Sequence, residues 1–264
     1  GEDTENALRA SASAVEILRH RDLAELSSAE RIRLARLFGA LRARPPMRRS
    51  SRRIPRRRGE VDGRRTLRDE IRRGGEPARL RFRGRGRRSR RIVILLDVSG
   101  SMAPYADSLL RWAHVVAVAN RPRTEVFTVG TRLTRVTAAM RLRDGEAAVA
   151  AAGRLVPDWS GGTRLGESVK VFLDRWGQRG VARGAVVVVL SDGWERGDAG
   201  LLGEQMQRLR RLAHRVVWIN PHSGKEGYQP VQSGISAALP FLDDLLAGHS
   251  MATFEEALEV IASA

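Results

Sequence analysis

The chain has 264 residues, 47 basic and 30 acidic side chains, and no cysteine. The missing cysteine excludes disulfides, thiolate metal sites and thiol catalysis, and no apolar run approaches the roughly 20 residues that span a bilayer. The formal charge of +17 lies in one tract, because residues 42–91 carry 22 arginines and five acids while the rest balances 25 basic against 25 acidic residues.

Residues 1–44 are predicted to be an N-terminal helical segment. Thr4 is placed to cap a first stretch with Leu8, Ala12, Val15 and Leu18 at helical spacing. Ser27-Ser28-Ala29-Glu30 is a capping-box pattern ahead of Ile32, Leu34, Phe38 and Leu41, and Pro45-Pro46 closes that helix. Both stripes need a surface to cover them, the main domain or a partner.

Residues 45–91 form the Arg-rich tract. Low hydrophobicity and high charge predict an extended, partly disordered linker, with a short helix at 66–71 and a short edge strand at 78–82. Such charge suits phosphate binding or an acidic protein partner. Phe82 is its one aromatic residue, so it lacks stacking platforms for single-stranded nucleic acid.

From Ile92 strand and helix patterns alternate, giving one α/β domain over 92–264. Strands are expected at 92–97, 124–129, 132–137, 185–190 and 215–219. Helices are expected at 104–120, 145–155, 165–176, 201–213, 241–247 and 253–262. Continuous apolar strands alternating with helices predict a doubly wound, mostly parallel sheet covered on both faces. Trp112, Trp176 and Trp218 are expected in its core.

The ligand end of such a sheet lies beyond the carboxyl ends of its strands. Three polar loops are expected to meet there. They bring Asp97, Ser99 and Ser101, then Thr163 in Ser160-Gly161-Gly162-Thr163, then Asp192 in Ser191-Asp192-Gly193. Two carboxylates and three hydroxyls are hard oxygen donors, suited to Mg2+, with Mn2+ or Ca2+ as alternatives, rather than to zinc. The competing explanation is that the hydroxyls only cap helices and turns.

Asp-x-Ser-x-Ser, a later Thr after a Gly pair and a strand-end Asp resemble the metal-ion-dependent adhesion site (MIDAS) of von Willebrand factor A (VWA) domains. That resemblance implies that Ser99, Ser101 and Thr163 contact the ion, with Asp97 and Asp192 holding it directly or through water. It also implies binding, not catalysis: the ion's remaining position takes an Asp or Glu of another protein. Trp159, Gly162 and Trp194 flank these loops as a candidate partner-binding rim, with core packing the alternative for the two tryptophans. The sequence Val216-Val217-Trp218-Ile219-Asn220-Pro221, then Gly227-Tyr228 and Gly234 to Pro240, with the Arg-rich lead into the first strand, resembles the CoxE-type bacterial branch. That branch implies a MoxR-type AAA+ ATPase as partner, and a role as adaptor in maturing a metalloenzyme such as carbon monoxide dehydrogenase or a related molybdenum hydroxylase.

Other motifs are set aside. No Gly-x-x-x-x-Gly-Lys loop binds a nucleotide, and Ser99 lacks the Gly-x-Ser-x-Gly elbow of hydrolases. Arg196-Gly197-Asp198 is an adhesion tripeptide by chance. The expectation is a cytoplasmic, non-enzymatic interaction protein without a membrane span; the alternative is nucleic-acid binding through the tract 42–91.

Overall fold

The computed structural model describes residues 13–156, 162–224 and 229–264. Thr4, Leu8, Ala12, Trp159 and the Gly227-Tyr228 pair lie outside the described residues. The chain divides into two compact units, one of Met47–Ser89 and one containing the flanking segments.

The larger unit is built on a six-stranded sheet. In chain order its strands are β4 (Ile92–Asp97), β5 (Thr124–Val129), β6 (Thr134–Arg135), β7 (Val186–Leu190), β8 (Arg215–Asn220) and β9 (Asp244–Ala247). Their spatial order is β6-β5-β4-β7-β8-β9, parallel except for β6. Every residue of β4 and β7 is buried, as a sheet covered on both faces requires. Alternation along β4 divides the core: Ile92, Ile94 and Leu96 face one layer, Val93 and Leu95 the other.

The first layer holds α4 (Ala106–Ala119), α6 (Gly145–Leu155) and α9 (Met251–Ala262). The second holds α7 (Leu165–Phe172) and α8 (Ala199–Leu212). Trp112 and Trp218 are fully buried and Trp176 is half-buried. The N-terminal helices, α1 (13–20) and α2 (Ser28–Ala40), cover the first layer through Leu18, Leu34 and Phe38. Ser27 and Glu30 form the capping box at the start of α2. Phe38 meets Phe254 edge-on at 6.1 Å, and burying such a side chain stabilises by about 2 kcal/mol.

Three local expectations differ from the structure. Residues 241–247 are not a helix. Asp243 is bonded to both polar groups of the Val216 backbone, accepting its N–H at Oδ2 and donating its own N–H to its carbonyl. That sets Asp244–Ala247 as an added parallel strand, so ladder pairing outweighs helical periodicity there. The strand expected over 132–137 shortens to Thr134–Arg135, because Thr137 turns back to bond the Val126 backbone and starts α5 (Thr137–Met140). The helix expected from 104 begins at Ala106, since Pro104 belongs to a 3-10 turn over Gly100–Tyr105.

The smaller unit is a three-stranded antiparallel sheet, order β1-β3-β2, of β1 (Met47–Arg56), β2 (Glu60–Val61) and β3 (Phe82–Ser89). Helix α3 (Gly63–Arg72) lies between β2 and β3 in sequence. This differs from the extended, partly disordered path expected from composition, and the edge strand expected at 78–82 is replaced by the central strand β3, which begins at Phe82. Charge alone misleads because the few acids are well placed. Glu60 pairs with Arg53 and Arg83, Asp69 pairs with Arg81, and Asp62 caps α3. Only Thr66 and Gly86 are buried, so the unit holds through backbone pairing rather than a core.

Candidate metal centre

The site lies where the order of strand addition reverses, between β4 and β7. Leu96 of β4 is in register with Leu190 of β7, so the next residues, Asp97 and Ser191, emerge side by side. Ser191 Oγ donates to Asp97 Oδ2 at 2.6 Å. The other oxygen, Oδ1, accepts the Ser99 N–H at 2.8 Å and the Thr163 hydroxyl at 2.9 Å. One buried carboxylate thus ties the three loops together.

Hydroxyl placement separates capping from ligation. Ser99 occupies the N-cap position of the 3-10 turn, yet its side chain makes no capping bond. Its Oγ instead faces Ser101 Oγ at 3.2 Å. Thr163 precedes α7 and is turned to Asp97 rather than to the helix start. Ser99 and Thr163 are nearly enclosed, while Ser101 is exposed. Of the three hydroxyl residues Ser101 is thus the one open to solvent, and the donor chemistry fits a hard divalent cation. No cluster of three or more His, Cys, Asp or Glu suited to a metal exists among the described residues, so ligation here depends on hydroxyls.

Asp192 is 1 % exposed and accepts the Trp194 N–H at Oδ1, 3.1 Å. Burial pushes the Asp97 carboxyl up to about 6, and the Asp192 charge adds to the effect, opposed by the Ser191, Ser99 and Thr163 donors. A buried carboxylate held that far above its ordinary range, beside a second one, is a place where a cation is electrostatically favoured.

Trp194, two residues after Asp192, is 63 % exposed, and Gly162 is half-buried. A Cβ at Gly162 would lie 2.6 Å from Arg196 Cδ, so the glycine lets the Arg196 stem cross the loop. Trp159, the third rim candidate, is outside the described residues.

Sequence reasoning assigned no role to Ser191, Glu195 or Asn220. Besides its bond to Asp97, Ser191 accepts the Gly193 N–H at 3.0 Å, and its carbonyl accepts the Trp218 indole N–H at 2.9 Å. Glu195 accepts the N–H groups of Gly166 at 2.8 Å and Gly197 at 2.6 Å, tying the β7 loop to the start of α7. Asn220 donates to the Asp192 carbonyl at 3.1 Å. Only Ser191 carried a sequence signal, a hydroxyl next to the strand-end acid. Asp198 of the adhesion tripeptide caps α8 through the Gly200 N–H.

The profile of the family described as "VWA domain containing CoxE-like protein" matches residues 31–254. No curated protein matches the chain. Among solved structures, it is similar to mussel byssus proximal thread matrix protein 1 with a zinc-occupied MIDAS motif, at 13 % identity and TM-score 0.47, over 66 % of this chain and 47 % of that one. A von Willebrand factor type A protein from Catenulispora acidiphila is similar at 16 % identity and TM-score 0.48, over 69 % of this chain and 43 % of that one. BatB from Bacteroides thetaiotaomicron is similar at 15 % identity and TM-score 0.45, over 66 % of this chain and 98 % of that one. This chain thus spans less than half of the mussel and Catenulispora proteins. With the family profile covering the end of the helical segment, the Arg-rich unit and nearly all of the α/β domain, the chain belongs to the VWA domain containing CoxE-like proteins.

Proposed function

We propose that the protein is a metal-dependent protein-interaction module, in which Asp97, Ser99, Ser101, Thr163 and Asp192 hold a Mg2+ that binds an Asp or Glu of a partner. The observation that carries this reading is that Ser99 stands at a helix-capping position without capping, its hydroxyl turned to Ser101 instead. Hydroxyls arranged this way are wasted on structure and useful to a cation. Both Asp97 oxygens are already occupied by protein donors. The carboxylate charge offered to a divalent ion is correspondingly limited, and neutral hydroxyls add none. A bound Mg2+ would supply an electrophilic position that an incoming carboxylate completes.

The same commitment of Asp97 argues against an enzyme, since its lone pairs face the loops and not a general-base position. Trp194 and Gly162, with Trp159, would form the rim that the partner covers, where exposed aromatics are favoured. Membership of the CoxE-like family supports an AAA+ ATPase of the MoxR type as partner, and adaptor work in maturing a carbon monoxide dehydrogenase or related molybdenum hydroxylase, in the cytoplasm. No helix among the described residues is long and apolar enough to cross a membrane.

The test is affinity capture with wild type and Asp97→Ala, in Mg2+ and in chelator. Partner recovery should need both Asp97 and the cation. Equal recovery by the variant, or by wild type in chelator, defeats the reading.

A further inference from the structure

The smaller unit carries a charge pattern that the metal centre does not use. On β3, Arg83, Arg85 and Arg87 alternate with glycines, so the three arginines share one face of the sheet. On β1, Arg49 is in register with Arg87 and Arg53 with Arg85, across an irregularity between Arg49 and Arg53. The face is therefore a lattice of five guanidinium-bearing side chains. Glu60, in register with Arg83, ion-pairs with Arg53 and Arg83 on that same side. Arg49, Arg85 and Arg87 are exposed and have no acidic partner among the described residues.

Like charges placed opposite each other across strands are destabilising. Here Arg49 opposes Arg87 and Arg53 opposes Arg85, so the fold keeps an arrangement that costs stability. The opposite face pairs Arg48 with Arg88 at one end but is covered along the glycines of β3. A Cβ at Gly86 would lie 3.4 Å from Ile54, and one at Gly84 would lie 3.2 Å from Arg56 Cγ, so β1 side chains close over the glycines there.

We propose that the arginine lattice of β1 and β3, centred on Arg49, Arg85 and Arg87, binds the phosphodiester backbone of duplex nucleic acid. Arginines on one strand recur about every 7 Å, two residues of rise, and face a polyanion with one phosphate per roughly 3.4 Å of axis on each strand. A guanidinium offers a planar fork to phosphate oxygens. The apolar side chains of this face, Met47 and Pro55, stand near the two ends of β1, and no aromatic residue lies among the arginines. The centre of the face thus lacks the anchor on which a protein interface is built, and counterion release is the available source of affinity. Phe82 alternates onto the other face, so bases have nothing to stack on and the duplex is favoured over a single strand.

The experiment titrates the full chain into fluorescent duplex DNA, and separately duplex RNA, across a salt series. Wild type should bind one or both with steep salt dependence. The triple variant Arg49→Gln/Arg85→Gln/Arg87→Gln should bind roughly tenfold or more weakly and lose about 3 from the slope of log K against log salt. An α3 control, Arg64→Gln/Arg68→Gln/Arg72→Gln, removes equal charge and should retain most of the affinity. Equal losses in the two variants would reduce the effect to net charge and overturn the site. So would the absence of duplex binding at low salt, or equal binding to poly-glutamate or anionic lipid vesicles. Asp97→Ala should bind the duplex as wild type does, so failure of the metal reading and failure of this one are separable.

Discussion

The sharpest check on the metal centre is how stability varies with pH around Asp97. Its carboxyl is 1 % exposed and is pushed from an ordinary 3.8 up to about 6. Between those values the folded protein holds a proton that the unfolded chain has lost. Stability without metal should therefore fall as pH rises through this window, by about 3 kcal/mol in total at 1.36 kcal/mol per pKa unit. Asp97→Asn is neutral throughout, and its amide oxygen can still accept from Ser99 and Thr163 while the Ser191 hydroxyl turns to accept from the amide nitrogen. Denaturant unfolding of both proteins in chelator, from about pH 4 to about pH 7, gives the comparison. The variant-minus-wild-type difference should climb by about 2.4 kcal/mol across the series, the rest of the change lying below about pH 4. The exposed carboxylates with lowered pKa values, such as Asp174 and Glu146, contribute equally to both proteins and cancel. Saturating Mg2+ should recover much of the wild-type loss, because the cation takes the place of the proton. Parallel curves for the two proteins in chelator would refute the buried, destabilised carboxylate on which the reading rests.

Further outcomes follow from single contacts. Ser191→Ala leaves Asp97 Oδ2 and the Gly193 N–H without their shared hydroxyl; it should cost about 1–3 kcal/mol and weaken divalent binding measured by calorimetry. Gly193→Ala meets a backbone at φ 81° and a Cβ position 2.6 Å from Ile235 Cβ; thermal unfolding should show destabilisation of more than about 1 kcal/mol. Trp194→Ala, at a side chain 63 % exposed, should leave stability within about 0.5 kcal/mol while lowering partner capture in Mg2+.

The central strands were legible because burial on both faces forces continuous apolar runs, as in Ile92 to Leu96 and Val186 to Leu190. The capping box at Ser27 was legible because its chemistry is local. Residues 241–247 were not, since their state is decided by Asp243 gripping the Val216 backbone of the neighbouring strand, which is distant in sequence. The Arg-rich tract misled for a related reason. Composition counts arginines, whereas the small sheet depends on where Glu60, Asp62 and Asp69 stand among them.

The candidate centre divides along the same line. The five oxygen-bearing residues could be read from spacing, but not the work each oxygen does. Asp97 looks like a ligand in sequence, yet in space both its oxygens are taken by Ser99, Thr163 and Ser191. Its chief task is to fasten three loops, while the Ser99 hydroxyl caps nothing and faces that of Ser101. Glu195 extends the fastening by joining the β7 loop to α7 through Gly166. A cation seated there would lean on neutral oxygens, on Asp192 and on an Asp97 charge already shared with three protein donors, and would remain short of negative charge until a carboxylate arrived from outside. The bonds that make Asp97 a strut are thus what would make the centre a receptor.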